Sequence, residues 1–186
     1  MRLVDLLDGL AAEGPIPAGG AAAAISAAMA ASLVGMTARS SPDWNGAGGV
    51  LAQVRVVRTR LMSLALADSE AYARVLEALR PEGDLDADER DIRLGFALGR
   101  AAELPLAIAE AAADTVELAA YSAEECVGSV RGDVLAAAVL AESAVRVAVH
   151  LVEINLATGE GDPRVLQARA VAEHAAKASR RAQART

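Results

Sequence analysis

The sequence predicts an all-α fold, an up-and-down bundle of about five or six helices, several of them long. The chain has 186 residues, of which 54% are hydrophobic and only 2% are aromatic. Alanine supplies about a quarter of the residues, well above its ordinary share. Because alanine is the strongest helix former, and because all-β folds favour β-branched and aromatic residues, this composition indicates closely packed helices.

The spacing of apolar residues places the helices in order along the chain. Apolar side chains recur every three or four positions, which is the helical period. We predict helices over residues 2–12, 18–40, 49–79, 86–121, 133–157 and 162–180. Glycine and proline mark most of the breaks between them, at residues 14–17, 41–49, 80–84, 126–132 and 158–159.

Two prolines refine these boundaries. Pro105 lies inside the fourth predicted helix, where we expect a kink or a break near Leu104. Asp162 followed by Pro163 has the pattern of a helix N-cap and a first-turn proline, so the sixth helix begins there. We predict a single helical domain over residues 1–180 and a frayed tail over residues 181–186.

Charge and cysteine content exclude several classes of protein. The net charge is −7, and no long basic block precedes the C-terminal tail, which argues against a nucleic-acid partner. Cys126 stands alone, so the chain has no internal disulfide. Asp5 and Asp8 interrupt the apolar start, which is wrong for a signal peptide, and we expect a cytoplasmic protein.

One uncharged segment has the length of a membrane span. Residues 14–38 carry no charge, but they are mostly alanine and glycine and include Ser26, Ser32 and Thr37. We therefore predict the buried central helix of a bundle and no membrane partner. Its larger apolar residues form one stripe, Ile25, Met29, Leu33 and Met36.

Two aspartates occupy positions that the helical period assigns to apolar stripes. Asp68 continues the stripe of the third helix, and Asp133 extends the stripe of the fifth helix backward. A buried carboxylate is costly unless it is paired, hydrogen-bonded or protonated, and proton transfer favours such groups. Both are candidates for acid/base catalysis. Alternatively, Asp133 caps its helix and Asp68 pairs with an arginine across the bundle.

A glycine pair precedes the second helix and gives a third candidate feature. Gly19 and Gly20 would let a ligand approach the unpaired N–H groups of the helix start, although a plain turn has the same pattern. His150 and His174 lack the companions of a metal site, so we expect no metal.

Five segments in order resemble the cyclodeaminase/cyclohydrolase family, which includes the C-terminal domain of formiminotransferase-cyclodeaminase and stand-alone methenyltetrahydrofolate cyclohydrolases. Residues 15–24 are similar to the family's Pro-x-Pro-Gly-Gly-Gly-Ser start, and residues 68–75 to its Asp-x-x-Ala-Phe-x-x-Val segment. Residues 102–106 resemble its Ala-x-x-Pro-Leu element. Residues 132–134 resemble its Ser-Asp-x-Gly-Val element, and residues 152–156 resemble its Val-x-Ile-Asn-Leu element.

The resemblance implies an all-α homodimer that binds tetrahydrofolate derivatives without a metal. It implies that Gly19 and Gly20 line the folate site and that Asp68 and Asp133 are the acid/base groups. Pro17 and Asn155, which lie on the matched segments, are two further substrate-binding candidates.

The sequence departs from the family pattern at two places. Ala18 and Ala21 replace an expected glycine and serine, and Val127 to Asp133 replaces an Asn-Pro-x-x-Ser-Asp approach. Arg131 is our candidate for an anion contact in place of the lost polar groups. Three functions therefore remain open: a folate cyclohydrolase or cyclodeaminase, a degenerate member that only binds a folate-like ligand or a protein, and a purely structural helical dimer.

Overall fold

The computed structural model describes residues 2–12, 19–79, 87–156 and 161–184, and these residues form helices with no strand. The prediction of an all-α fold is confirmed. A short 3₁₀ turn, Gly128–Val130, precedes the fifth helix. The α-helices are α1 Leu3–Ala11, α2 Gly19–Arg39, α3 Ala47–Ala78, α4 Ala87–Glu125, α5 Arg131–Asn155 and α6 Pro163–Gln183.

The long helices α2 to α6 alternate in direction, as an up-and-down bundle requires. The start of α2 lies against the second half of α3, where Gly20 meets Asp68. The end of α5 lies against the first half of α4, where the Asn155 amide donates to the Ala101 carbonyl at 3.3 Å. Helix α4 contacts α2, α3, α5 and α6 and is therefore the centre of the bundle.

Helix α2 buries most of its alanines, whereas its longer side chains are half-buried or exposed. Ala24, Ala27 and Ala31 are fully buried, whereas Met29 is 50% exposed. Of the predicted stripe, Ile25 and Leu33 are half-buried and pack against the core, Met36 is half-buried, and Met29 is exposed. Small alanine side chains let α3, α4 and α5 pack close to α2.

The predicted core stripe of α5 is also only partly buried; it consists of Ala137, Leu140, Ala144, Val147, Leu151 and Ile154. Ala137 and Ala144 are buried, but Leu140, Val147 and Ile154 are exposed. The positions assigned to one core stripe thus divide between the core and the surface. Both α2 and α5 therefore expose apolar side chains on the surface of the bundle.

Helix boundaries agree closely with the prediction, with one exception. Asp162 caps α6 by accepting from the Arg164 N–H at 2.8 Å, and Pro163 begins that helix. Helix α4 continues through Pro105, so the break that was one of the two expected outcomes does not occur, and the kink stays a prediction. Buried residues on both sides of Pro105, Ala102 and Ile108, hold α4 in the core, and this packing outweighs the lost hydrogen bond.

Some predictions lie outside the described residues or stay untested. Pro17 falls within residues 13–18, which the structure does not describe, so its predicted role stays a prediction. Helix α6 extends to Gln183, so the chain is still helical at residues 181–183, where we had predicted a frayed tail. Helix α1 buries none of its residues.

Within the described ranges, two helices have the length and hydropathy of a membrane span. They are Gly19–Arg39 and the stretch Gly128–Asn155, each with a mean hydropathy of 1.7 in its most apolar window. In those windows 61% and 44% of the residues lie buried inside the bundle. Helix α2 is mostly buried, as predicted, but the helix that contacts all four of the other long helices is α4.

The first prediction concerns the core. Leu61 on α3 is fully buried, so Leu61→Ala should lower the free energy of unfolding by about 2–5 kcal/mol through lost contacts and a cavity. Leu166 on α6 is 55% exposed, and Leu166→Ala should cost less than about 0.5 kcal/mol. Urea denaturation of both variants measures the difference; equal losses would show that the described core is wrong.

Candidate functional site

Asp68 lies inside the bundle, against the first turn of α2. Its side chain is only 8% exposed. The backbone N–H of Ala21, the third residue of α2, donates a hydrogen bond to the Asp68 carboxylate. The first N–H groups of a helix have no partner within the helix, and its N-terminus carries a partial positive charge. Asp68 therefore caps α2 from a neighbouring helix.

Gly20 makes this contact possible because it has no side chain. A methyl group at Gly20 would overlap both carboxylate oxygens of Asp68 and its Cγ. At Gly19 the same addition would meet only the Leu151 side chain, at an ordinary distance of 3.8 Å. Of the two predicted glycines, Gly20 is thus the one that the Asp68 contact requires.

The surroundings of Asp68 favour its protonated form. Burial raises the pKa of Asp68 above its usual value of 3.8, and the hydrogen bond from Ala21 lowers it by less. Among the described residues no cationic side chain pairs with this carboxylate. The alternative that Asp68 pairs with an arginine is not what the structure shows; its partner is the backbone of α2.

A cavity of about 510 Å³ lies between α1, α2 and α3; Asp68 itself is not among its lining residues. Most of its lining is apolar, with Arg58 as the cationic residue and several hydroxyl groups. Ala21 and Ser69 both belong to the lining, and they are the hydrogen-bond partner and the chain neighbour of Asp68. We call this space the α1–α3 cavity; its other lining residues include Leu6, Met62 and Ala65.

Arg58, Ser69 and the Ala21 backbone were not among the residues selected from sequence. Ser69 directly follows Asp68 in the sequence, and this adjacency is the one signal that could have pointed to it. Arg58 is one of several arginines on α3, and nothing in the spacing distinguishes it. A backbone N–H group has no side-chain signature at all, so the contact of Asp68 with Ala21 could be found only in the structure.

Asp133 lies at the other end of the bundle. It is half-buried in the first turn of α5, and that helix has Val130, not Asp133, at its N-cap position. Leu151 on the same helix lies beside Gly19. Eighteen residues of α-helix separate Asp133 from Leu151, which places it roughly 25 Å from the Asp68 end. Within one chain the structure does not bring the two aspartates together.

The remaining predicted residues divide between the two ends. Asn155 lies at the same end as Gly19, four residues beyond Leu151, and its amide is used to tie α5 to α4. Arg131 lies at the Asp133 end. It hydrogen-bonds to the Cys126 thiol and so lowers the pKa of that group, while burial raises the same pKa by more.

A larger cavity, of about 880 Å³, lies between α3 and α4. None of the predicted site residues lines it. A potential metal site of three or more His, Cys, Asp or Glu side chains does not occur in the described part of the chain. The acid Asp68 and the α1–α3 cavity therefore form the best-defined candidate site, and Asp133 belongs to a separate region of the same chain.

Comparison with known proteins identifies relatives of the whole chain. The family model for formiminotransferase-cyclodeaminase matches residues 2–175. The methenyltetrahydrofolate cyclohydrolase of Methylorubrum extorquens is 33% identical over 158 residues, which cover 80% of this chain and 76% of the relative.

A solved structure has the same fold. The crystal structure of formiminotetrahydrofolate cyclodeaminase from Thermotoga maritima superposes with a TM-score of 0.88 at 22% identity. The match covers 100% of this chain and 95% of that one. The six-helix arrangement described above is therefore one that an experimentally determined protein adopts.

The second prediction tests the contact at Gly20. Gly20→Ala should lower the free energy of unfolding by about 1–3 kcal/mol, because its methyl group displaces the Asp68 carboxylate. Gly19→Ala is the matched control and should be neutral or stabilising, since alanine favours helix and has room there. Adding Asp68→Ala to Gly20→Ala should recover part of the loss. Equal effects of the two glycine substitutions in urea denaturation would contradict the described contact.

The third prediction is a dependence of stability on pH. Because the pKa of Asp68 is raised in the folded state, its contribution to stability is fully present below the unfolded value of 3.8 and is lost as pH rises through the folded pKa. Asp68→Asn keeps an acceptor for the Ala21 N–H but carries no charge. The stability of this variant relative to the wild type should therefore increase between about pH 4 and about pH 7.

Denaturation curves at both pH values measure this change. The exposed residue Asp91 on α4 provides the control Asp91→Asn, which removes a charge from the surface. A relative stability of Asp68→Asn that falls with rising pH would mean that the folded protein favours the charged form of Asp68.

Proposed function

The chain belongs to the formiminotransferase-cyclodeaminase family, and we propose that it hydrolyses the one-carbon bridge of a reduced folate, 5,10-methenyltetrahydrofolate. The relative that is 33% identical is named for this reaction. The single observation in the structure that carries the proposal is the buried Asp68 carboxylate, whose hydrogen-bond partner Ala21 lines the α1–α3 cavity. Cyclodeamination of a formimino group is the second candidate, because the family model bears that name.

The reaction needs a base at a site sheltered from bulk water. The methenyl carbon bridges N5 and N10 and shares their positive charge. Water attacks this carbon while a carboxylate accepts a proton from the water; the bond to N5 then breaks, N5 takes up a proton and the 10-formyl product forms. Asp68 suits the role of base, because burial raises its pKa and so makes its ionised form more basic.

The positive charge of the substrate gives a second reason to choose Asp68. Within the described ranges no cation neutralises this carboxylate, so a cationic methenyl group would supply the missing opposite charge. The α1–α3 cavity has the volume of small-molecule sites and apolar walls for the ring system. Arg58 at its lining is suited to an anionic carboxylate of the folate tail.

In the cyclodeaminase reaction the same acid would have a different role. N10 attacks the formimino carbon, and an acid protonates the departing ammonia. Protonated Asp68 could serve as that acid, because its environment stabilises the neutral form. The two reactions differ in the nucleophile and in the compound that is consumed, and product analysis distinguishes them.

We further propose that the active form is a homodimer. Apolar side chains are exposed on three helices that lie next to one another, α3, α2 and α5. Such a surface is typical of an interface between subunits. Examples are Met29 on α2 at 50% exposure, Leu66 on α3 at 70% and Ile154 on α5 at 55%.

Dimerisation would also resolve the separation of the two aspartates. In one chain Asp68 and Asp133 lie at opposite ends of the bundle, too far apart to act on one atom. If two protomers pack antiparallel through this face, the Asp68 end of one meets the Asp133 end of its partner. A shared site then has Asp68 from one protomer and Asp133 from the other.

The fourth prediction tests catalysis by Asp68. Asp68→Asn should lower the rate of methenyl hydrolysis by ~10²–10⁴-fold, which is the usual contribution of a general base. The decrease in ultraviolet absorbance of 5,10-methenyltetrahydrofolate measures turnover, and Asp91→Asn is the control that should retain full activity. Wild-type protein that binds this compound without any loss of absorbance would support the alternative of a degenerate, binding-only member.

The fifth prediction tests the shared site. Asp68→Asn and Asp133→Asn should each be inactive as homodimers. Mixed in equal amounts after dissociation and reassembly, they should recover about one quarter of wild-type activity, because half of the dimers are mixed and each mixed dimer has one intact site. The control is the same mixture without dissociation. No recovery in verified mixed dimers would contradict a site shared between protomers.

A further inference from the structure

A small cavity lies beside the loop that joins α2 to α3, at the opposite end of the molecule from Asp68. Its volume is about 330 Å³. From Ala47, where α3 starts, the distance along the helix to Asp68 is about 30 Å. Loop residues form one side of the cavity, and the end of α4 forms the other. We call it the loop cavity; its lining includes Asp43, Trp44, Gly46, Tyr121, Glu125 and Val127.

A buried hydroxyl group holds the two sides of the loop cavity together. Ser41 accepts a hydrogen bond from the Val127 N–H at 3.1 Å and donates one to the Thr37 carbonyl at 2.9 Å. Its side chain is buried. Because Ser41 belongs to the loop and Val127 follows α4, this contact fixes one wall against the other. The cavity is therefore formed by the fold itself, as small-molecule sites usually are.

Trp44 brings to this cavity a donor that is buried and has no partner. The side chain is 8% exposed, and among the described residues its indole N–H makes no hydrogen bond. The indole nitrogen lies 2.7 Å from the position of a Cβ on Gly46, and the Tyr121 hydroxyl lies 2.8 Å from the same point. The nitrogen therefore lies against the part of the cavity wall that Gly46 and Tyr121 form.

This part of the wall lacks one hydrogen-bond acceptor. A buried N–H without an acceptor is unfavourable, and an oxygen atom supplied by a ligand would relieve it. Tyr121 covers the position, but its side chain is 47% exposed. It can therefore turn outward and admit a ligand without disturbing the core.

The lining of the loop cavity is negative. Asp43 and Glu125 both line it, and neither forms an ion pair within the described ranges. Glu125 is also the last residue of the 39-residue helix α4, whose last turn has no basic residue. Since a helix C-terminus carries a partial negative charge and favours cations, all three groups attract a positively charged ligand.

Two aromatic rings favour an organic cation over a metal ion. The ring centroids of Trp44 and Tyr121 lie 5.6 Å apart, and the ring planes are tilted by 55°. Aromatic faces attract quaternary ammonium groups, and carboxylates beside them strengthen the attraction. A bare metal ion would leave the indole N–H without an acceptor. An ammonium compound that also carries an oxygen atom satisfies both requirements.

We infer that the loop cavity binds a small quaternary ammonium compound that carries a hydroxyl group. The ammonium group lies against Tyr121, close to the carboxylates of Asp43 and Glu125. The hydroxyl oxygen accepts a hydrogen bond from the Trp44 indole once the Tyr121 side chain has turned outward. Different protein groups thus recognise the charge and the hydroxyl, so each contact can be removed separately.

Calorimetric titration of the wild-type protein with choline tests this inference. We expect saturable binding that is about three- to tenfold tighter than that of ethyltrimethylammonium, which lacks only the hydroxyl. Binding of 3,3-dimethyl-1-butanol, which has a similar shape but no charge, should be at least about tenfold weaker. Trp44 is the one tryptophan in the chain, so a saturable change in tryptophan fluorescence locates the ligand. Absence of saturable binding, or equal binding of the uncharged alcohol, would overturn the inference.

Variants test the two contacts separately. Trp44→Phe keeps an aromatic ring but removes the N–H, so it should bind choline and ethyltrimethylammonium equally. Asp43 and Glu125 are exposed, and Asp43→Asn and Glu125→Gln should each fold normally and weaken choline binding by about threefold or more. Circular dichroism verifies folding of all three variants.

Two further variants are controls. Asp91→Asn removes a surface charge on α4 far from the cavity and should bind choline as the wild type does. Asp68→Asn should also bind choline normally, which keeps this inference independent of the folate proposal. A preference for choline that persists in Trp44→Phe would show that the indole N–H does not recognise the hydroxyl. Unchanged choline binding in both acid variants would refute the site.

Discussion

Close approach between helices is the constraint on which the rest of this structure depends. Helix α2 turns a nearly continuous surface of alanine toward three neighbours, and Ala24, Ala27 and Ala31 are fully buried there. At its first turn the approach is closer still, because Gly20 leaves room for the Asp68 carboxylate against the helix start. The same small residues that form the core thus also allow an acid to be buried and capped by backbone. The close packing of these helices thus creates the candidate site.

The sequence predicted some parts of this arrangement well, for identifiable physical reasons. On α3 the large residues Val50, Val54 and Leu61 alternate with arginines and polar groups, so the helical period selects one face without ambiguity. Asp68 interrupts that face and could be recognised as buried. On α2 and α5 both sides are apolar, and alanine gives little contrast with its neighbours. The period is present there, but it cannot indicate which side is the core. On α5 the predicted core stripe therefore includes Leu140, Val147 and Ile154, which are exposed.

The site was less predictable than the fold because its contacts cross between helices. Asp68 is held by a backbone N–H, which no side-chain pattern can reveal. Asp68 and Asp133 both interrupt apolar stripes, yet a stripe fixes only the face of a helix and not the position of a residue along the bundle axis. The position along the bundle axis depends on how antiparallel helices are aligned. The contacts of Gly20 with Asp68 and of Gly19 with Leu151 define this alignment. These contacts show that one chain carries two separate acidic regions.

An interior made of alanine also changes which mutations the protein can tolerate. In a leucine-rich bundle most damage comes from shortening a side chain, since a void is left behind. Here the buried side chains of α2 are already almost as short as they can be, so truncation removes little. Growth by even one or two carbon atoms at Ala24 or Ala31 would instead overpack the contacts with the neighbouring helices. Random substitution should therefore eliminate variants that enlarge the inner side of α2.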